Sequence, residues 1–426
     1  MKYCEMTKEA LEAEHRSLLA EYESIKASGL KLDISRGKPC TDQLNLSDDL
    51  LTILKGAEDC KTEAGFDCRN YGLFEGVPEA QAMFSELLTI PSENILLGGS
   101  SSLTFMYDTI ARAMLYGVRG SDRPWCKEEK VKFICPVPGY DRHFKILETF
   151  GIEMLCVDML SDGPDMDMVE QLALSDEAVK GLVCVPKYSN PTGVTFSDEV
   201  VERLCSMKTA ADDFTVIWDN AYAVHDFNDT PDTLADVFEV SKKYGTENRI
   251  LYFTSTSKIT FPGAGVSLLS AADPVYKEIL ASMGAQTIGH DKLNQMRHVK
   301  FFGNAQGLYD MMKKQAEIVR PHFDIAKGAL DDGLGGLGIA SWHEPNGGYF
   351  ISLDTMDGTA TDIYNYMKDA GVTLTSVGAT FPHGLDPHDS NLRLAPTYPS
   401  LADLEMAMKV LVCTVKLVCA KKILGM

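Results

Sequence analysis

A lysine that follows a short apolar run is the first candidate for chemistry in this sequence. The run Ile250–Phe253 predicts a buried strand, and a hydroxyl-rich stretch leads from it to Lys258. An amine just beyond a buried strand is partly desolvated, which lowers its pKa and exposes a nucleophilic lone pair. Such a lysine could form an imine with a carbonyl compound. For a single lysine, a solvated side chain on a turn is by far the commoner explanation, so the interpretation depends on residues elsewhere.

Three more polar residues suit the same site. Asn190 lies in Ser-Asn-Pro-Thr-Gly, Asp219 begins Asp-Asn-Ala-Tyr, and Arg393 lies near the C-terminus in Leu-Arg-Leu-Ala. Asn190, Asp219 and Lys258 each follow a predicted strand, and open α/β sheets bind ligands beyond the carboxyl ends of their strands. Each residue alone could be a turn cap or an ion-pair partner. Their shared position favours one common site.

A serine-rich turn is a candidate anion site. The predicted strand Ile95–Leu97 runs into Gly-Gly-Ser-Ser-Ser, and apolar residues at helical spacing follow from Leu103. Ser100, Ser101 and Ser102 would join the free N–H groups at the start of a helix, where phosphate binds readily. The turn is not a Walker loop, because no Gly-Lys-Ser/Thr follows. A helix cap without any ligand remains the alternative.

The elements that hold these residues alternate between strands and helices. This alternation predicts an α/β fold with a mostly parallel sheet flanked by helices. Beyond about residue 290, a long helix from Phe302, two strands and a final amphipathic helix predict a smaller α+β domain. The expected division is 1–44 for an N-terminal helix and arm of the small domain, 45–290 for the large domain and 291–426 for the rest of the small domain.

Composition excludes several classes of partner. The net charge of -21 argues against nucleic acid and against anionic membranes. The 11 cysteines contain no Cys-x-x-Cys pair and indicate a reducing compartment. The N-terminus lacks a signal-peptide pattern and no apolar run could span a bilayer, so we expect a cytoplasmic protein. The 9 histidines form no metal-binding motif, so no metal is expected.

Together, these motifs resemble those of a known family. Asn-Pro-Thr-Gly, Asp-x-x-Tyr and Ser-x-x-Lys occur in the order found in class I aminotransferases, the fold type I enzymes that use pyridoxal 5′-phosphate. The resemblance extends from about Gly37 to Arg393. It implies transamination between an amino acid and a 2-oxo acid, with aspartate and 2-oxoglutarate as one substrate pair. It also implies a homodimer whose active sites are shared between the subunits.

The resemblance implies roles around the cofactor ring. Lys258 would hold the cofactor aldehyde and later carry the proton from the substrate Cα. Asp219 would pair with the pyridine nitrogen and keep it protonated. Asn190 and Tyr222 would donate hydrogen bonds to the ring hydroxyl, and Tyr140 would stack on the ring.

It also implies roles at the phosphate and the substrate. Ser255 would join the serine-rich turn at the phosphate, and Tyr71 would reach the phosphate of the neighbouring subunit. Arg393 would clamp the substrate α-carboxylate through a planar bidentate contact. Asn190 and the backbone of Gly37 would also meet the substrate.

One departure from the family pattern concerns the phosphate. The family usually has an arginine shortly after the lysine, but no arginine lies between Lys258 and Arg297 here. The phosphate would then depend on hydroxyl groups and a helix N-terminus, with Lys292 or Arg297 as possible substitutes. This indicates a divergent subgroup associated with aspartate or alanine–glyoxylate transamination. An acidic amino donor would need another cation, for which Lys38 is a further candidate.

Two alternative functions remain open at this stage. Another reaction on the same cofactor, such as a C–S β-lyase or a decarboxylase, would need the same residues. A transcription regulator with an aminotransferase-like domain would need a DNA-binding module. The short segment before the predicted fold and the acidic composition argue against such a module.

Overall fold

The computed structural model describes residues 1–426. Its strands, β1 to β13 in chain order, are Leu32–Asp33, Ile95–Leu97, Lys132–Val137, Glu153–Leu160, Gly163–Pro164, Val179–Cys184, Thr215–Asp219, Ile250–Ser255, Ser267–Ala271, Ala340–Trp342, Ile351–Thr355, Val372–Thr373 and Asn391–Leu394. Its α-helices, α1 to α13 in chain order, are Lys8–Ala27, Thr41–Asn45, Pro78–Leu88, Ser102–Tyr116, Asp141–Thr149, Met166–Ser175, Asp198–Ser206, Val237–Tyr244, Asp273–Met283, Lys292–Phe302, Ala305–Leu334, Ala360–Asp369 and Leu401–Leu424.

An 8-stranded, mostly parallel sheet forms the centre of the molecule, in the order β2-β9-β8-β7-β6-β3-β4-β5. Five neighbouring strands pair in parallel, in the order β8, β7, β6, β3 and β4. Helices form the long crossover connections that parallel neighbours require. Strand β9 is antiparallel to β8 and β2. The segment 256–266 that joins β8 to β9 contains no helix and carries Lys258. The predicted α/β fold is therefore confirmed.

A smaller antiparallel sheet and a group of long helices form a second core. The sheet has the order β10-β11-β13, and β1 pairs with β12 in a separate two-stranded sheet. Helix α13 contacts α1, α11 and α12. The prediction that this last helix is amphipathic was wrong. The helix is buried around most of its circumference because three helices surround it, so its apolar residues do not form one stripe.

Two of the hydrophobic cores meet along α11. Met296 and Phe302 on α10, and Met311 near the start of α11, pack into the core below the large sheet. Phe323 and the residues after it pack into the second core. The change from one core to the other therefore lies within α11, because apolar residues of α10 face the large sheet. The domain boundary at residue 290 stays a prediction.

The predicted long helix from Phe302 also begins later than expected. Gly303 ends α10 with a φ of 73°, a left-handed conformation that glycine adopts without strain. Asn304 then caps α11, and its side chain accepts a hydrogen bond from the Gly307 N–H at 3.0 Å. None of the helices combines the length and the apolar composition needed to cross a membrane.

Candidate active site

A cavity of about 260 Å³ lies at the carboxyl ends of β6, β7 and β8, beside the start of α4. This is the edge of the sheet at which the sequence predicted a site. The cavity brings together nine of the residues predicted from the sequence: Gly37, Ser101, Ser102, Tyr140, Asn190, Asp219, Tyr222, Ser255 and Lys258. Arg393 contacts Asn190 at the cavity wall. Ser100 and Tyr71 do not line the cavity.

The Lys258 amine is surrounded by aromatic rings. Its Nζ donates a hydrogen bond to the Tyr222 hydroxyl at 2.8 Å and lies 5.3 Å from the centroid of the Tyr349 ring. Burial lowers the pKa of Lys258 to about 8, although the nearby Asp219 carboxylate opposes this effect. An appreciable fraction of the amine is therefore neutral at mildly alkaline pH and could act as a nucleophile or a base.

The Asp219 carboxylate is buried at the end of β7 and has one oxygen without a partner. Its Oδ2 lies 2.9 Å from His143 Nε2, while Oδ1 contacts no hydrogen-bond donor. A buried acceptor without a donor lowers the stability of the folded protein. Oδ1 is therefore suited to accept a hydrogen bond from an N–H group of a ligand. His143 was not predicted from the sequence. It lies in the first turn of the helix that follows Tyr140, and this spacing was the only available signal.

The Arg393 guanidinium contacts three side chains, and one of them is Thr375, whose Oγ1 accepts a hydrogen bond from Nε at 3.4 Å. Arg393 Nη1 donates to Asn190 Oδ1 at 3.2 Å and to Asp141 Oδ1 at 3.0 Å. The guanidinium carbon lies 5.0 Å from the centroid of the Phe350 ring. Because Asn190 accepts this hydrogen bond through Oδ1, its Nδ2 is left to donate elsewhere. The contact from Asp141 was not predicted from the sequence.

A cluster of hydroxyl groups lies beside the start of α4. Ser101 caps the helix, and its Oγ accepts a hydrogen bond from the Leu103 N–H at 3.3 Å. Ser255 Oγ donates to Ser257 Oγ at 3.0 Å, and Ser257 Oγ donates to the Ser100 carbonyl at 2.7 Å. Ser100 thus contributes a carbonyl that holds Ser257, rather than a hydroxyl in the cavity. Ser257 lines the cavity and was missed, although it belongs to the same hydroxyl-rich stretch.

Few cations reach this cavity. Lys38 and Lys258 are the only positively charged residues in its lining, whereas Lys292 and Arg297 lie elsewhere. Lys38 lies at the mouth, with its Nζ 3.7 Å from the centroid of the Tyr398 ring. The hydroxyl cluster therefore has no arginine beside it within this chain.

Gly37 lines the cavity, whereas Tyr71 lies outside it. The Phe350 ring occupies the space that a Cβ on Gly37 would need, so only glycine fits there without movement. Tyr71 is 78% exposed on the surface. Such a large exposed aromatic ring is suited to contact another molecule.

Comparison with known proteins now identifies the family. The family model described as aspartate amino-transferase matches residues 6–426. An aspartate aminotransferase from Corynebacterium glutamicum is 45% identical over 394 residues, which covers 92% of this chain and 91% of that protein. A Mycolicibacterium smegmatis protein whose name assigns it provisionally to the aminotransferases is 46% identical over 426 residues and covers 100% of both chains.

This chain belongs to the aspartate aminotransferase family. It is therefore an aminotransferase, as its resemblance to class I enzymes indicated. A crystal structure of an aspartate transaminase from Corynebacterium glutamicum superposes with a TM-score of 0.96 at 43% identity and covers 99% of both chains. The α-aminoadipate aminotransferase of Thermus thermophilus, solved with N-(5′-phosphopyridoxyl)-L-leucine, shares the fold at 19% identity, with a TM-score of 0.74 over 91% of this chain and 92% of that one.

The family implies pyridoxal phosphate, and the cavity of this aminotransferase fits that group. Asp219 Oδ1 offers a buried acceptor for a pyridine N–H, and Lys258 offers a desolvated amine for an aldehyde. The N-terminus of α4 and the neighbouring hydroxyls suit a phosphate. No feature of the site favours a lyase, a decarboxylase or a DNA-binding regulator.

Proposed function

We propose that this enzyme transfers the amino group of an acidic amino acid, with aspartate as the first candidate, to a 2-oxo acid such as 2-oxoglutarate. Pyridoxal 5′-phosphate would be held at Lys258, in a homodimer that shares its active sites. The observation that carries the proposal is that a desolvated amine and an unpartnered buried carboxylate oxygen line one cavity. The aspartate aminotransferase from Corynebacterium glutamicum supports the choice of substrate.

When bound, the cofactor supplies a protonated ring that accepts electrons from the substrate Cα. Asp219 would keep the ring nitrogen protonated through Oδ1, while His143 fixes the carboxylate through Oδ2. Tyr222 orients the Lys258 amine by accepting its hydrogen bond, so that Nζ can carry a proton to and from the substrate. Tyr140 and Asn190 would position the ring from the cavity wall.

The cofactor phosphate would be bound mainly by neutral groups. Ser101, Ser102, Ser255 and Ser257 line the part of the cavity beside the start of α4. Because no arginine of this chain reaches them, the helix N-terminus must supply most of the positive potential. In the proposed homodimer, the partner's Tyr71 would add a hydroxyl from the second chain.

The substrate would be bound by two cations at different positions. Arg393 would hold the α-carboxylate, with its guanidinium oriented by Asn190 and by the Phe350 ring. Gly37 would let the backbone lie close to the substrate. Lys38 is the remaining cation in the lining and would meet the second carboxylate of an acidic donor. The 11 free cysteines fit a reducing compartment such as the cytoplasm.

A panel of amino donors tests this proposal. Purified enzyme with added pyridoxal phosphate is assayed with aspartate, alanine and neutral amino acids, with 2-oxoglutarate or pyruvate as acceptor. We expect glutamate to form from 2-oxoglutarate, fastest with aspartate. Release of ammonia or carbon dioxide without glutamate would instead support a lyase or a decarboxylase.

Lys38 provides a sharper test of the acidic donor. Lys38→Met should raise KM for aspartate about tenfold, as expected for loss of one charge-assisted contact, and leave KM for alanine nearly unchanged. Lys127→Met is a suitable control, because Lys127 is exposed and lies outside the cavity. An equal loss for both donors would show that Lys38 does not select the second carboxylate.

A further inference from the structure

A second and larger cavity lies at the opposite edge of the central sheet. It has a volume of about 510 Å³, which is within the range of small-ligand sites. Thr215 and Leu251, near the amino ends of β7 and β8, line its floor, and residues of α4 and α9 line its walls. The active-site residues Asp219 and Ser255 lie at the other ends of the same two strands.

Three arginines line this cavity, and two of them lack a carboxylate partner. Arg119 pairs with Glu278 at 2.8 Å, and both side chains are about half exposed. Arg112 Nη2 donates to Thr109 Oγ1 at 3.0 Å, but its Nη1 is buried and has no acceptor. Arg249 Nη1 donates only to the Met207 carbonyl, at 3.1 Å. The cavity therefore presents two guanidinium groups that no acidic side chain neutralises at contact distance.

Guanidinium groups without a carboxylate partner lower the stability of the protein when no ligand is bound. A guanidinium that loses water without gaining a carboxylate destabilises the fold, and apolar residues of similar volume often serve better. Burial lowers the pKa of both Arg112 and Arg249, in keeping with this desolvation, and nearby Asp108 and Asp212 offset it only in part. The lining holds three arginines against the two acidic residues Asp212 and Glu278, whereas the chain as a whole carries a net charge of -21.

The rest of the lining indicates what kind of anion would fit. Phe214, Val275 and Ile279 supply an apolar part of the lining. Asn248 Oδ1 is buried and accepts no hydrogen bond, so it could accept one from a ligand. An inorganic ion would leave the apolar part of the lining and this acceptor unused. A small organic anion would satisfy all three features.

We propose that this cavity is a regulatory site for a small organic anion. Its carboxylate or phosphate group would bind Arg112 and Arg249, and its apolar body would lie against the wall of α9. Helix α4 connects the two sites, because Ser102 lies at the active-site cavity and Arg112 lies at the second cavity. Strands β7 and β8 provide two further connections, so binding at one edge can shift groups at the other.

Titration calorimetry on the holoenzyme tests the site. The probes are inorganic phosphate, adenosine 5′-monophosphate and citrate, which separate free phosphate, a phosphate on an aromatic nucleoside and a carboxylate. We expect one site per chain, with adenosine 5′-monophosphate or citrate binding more tightly than inorganic phosphate. Arg112→Met and Arg249→Met should each weaken binding about tenfold or more.

Two control variants separate this site from the rest of the molecule. Arg16→Met removes an exposed arginine on α1, and Arg393→Met removes the arginine of the active site; both should bind the probe like the wild type. Failure of all three probes to bind would overturn the proposal. Binding that is lost in Arg393→Met and retained in Arg112→Met would also overturn it.

Stability and kinetics give two further readouts. Without ligand, Arg112→Met should unfold at the same or a higher temperature, because it removes a desolvated charge. A clearly lower unfolding temperature would show that Arg112 serves the fold and not a ligand. The bound probe should change KM for the amino donor in the wild type but not in Arg112→Met. Unchanged kinetics with a bound probe would refute the coupling.

Discussion

At the scale of single residues, Lys258 illustrates how burial prepares a side chain for chemistry. Its amine is desolvated by the surrounding rings, while the Asp219 carboxylate pulls its pKa in the opposite direction. Desolvation is the larger effect, so the pKa falls to about 8. The Tyr222 hydroxyl then fixes where the lone pair points.

This pKa leads to a pH prediction for the cofactor-free protein. Between about 8 and 10.5, the folded state has released the Lys258 proton while the unfolded state still binds it. The destabilisation from burying the charged Lys258 amine is therefore relieved as pH rises through this window, so the folded state becomes more stable. Reductive methylation of Lys258, followed by peptide mapping, should reach half its maximal rate at about pH 8. A midpoint near 10.5, as in the unfolded chain, would contradict the assignment.

Asp141 leads to a prediction about substrate binding. Its carboxylate contacts Arg393 Nη1, where the substrate carboxylate would bind, and its side chain is 31% exposed. Asp141→Asn should lower KM for the amino donor by about two- to fivefold, since a partly exposed competing charge is removed. Asp310→Asn, which changes an exposed aspartate on α11, is the control. A higher KM would show that Asp141 orients Arg393 and does not compete with the substrate.

These residues also show what the sequence could and could not predict. Lys258, Asp219 and Asn190 follow recognisable strands, and the carboxyl ends of parallel strands meet at one edge, so their proximity was predictable. His143 and Asp141 lie in a helix whose position against β7 and β13 depends on tertiary packing. No local pattern specifies such contacts.

At the scale of elements, the start of α4 is expected to serve both the fold and the cofactor. Ser101 caps this helix and lies in the cavity, so it supports the N–H groups that would bind the phosphate. The other strand and helix ends were mostly predictable from caps and apolar runs. The break between α10 and α11 and the burial of α13 were not, because they depend on which helices pack together.

A pair of cap variants separates these two roles. Ser101→Ala and Ser400→Ala each remove the side chain that caps a long helix, α4 or α13, and each should cost about 1 kcal/mol of unfolding free energy. Only Ser101→Ala should also weaken binding of pyridoxal phosphate, which fluorescence titration of the cofactor-free protein would measure. Equal cofactor affinity in the two variants would exclude the start of α4 as the phosphate site.

At the scale of the whole molecule, the proposed dimer can be tested directly by mixing two inactive variants. In a shared active site, Lys258 would come from one chain and Tyr71 from the other. The Lys258→Ala and Tyr71→Ala variants should each have little or no catalytic activity alone. After unfolding and refolding together, they should recover about a quarter of wild-type activity, because half of the dimers would contain one intact site. No recovery in mixed dimers would show that Tyr71 serves its own chain.

Lys258 is the amine that we propose binds the cofactor. Borohydride reduction of the holoenzyme, followed by peptide mapping, measures this directly. We predict a single phosphopyridoxyl label on the peptide that contains Lys258, and no label in Lys258→Ala. A label on any other lysine, or the same labelling in Lys258→Ala, would contradict the account.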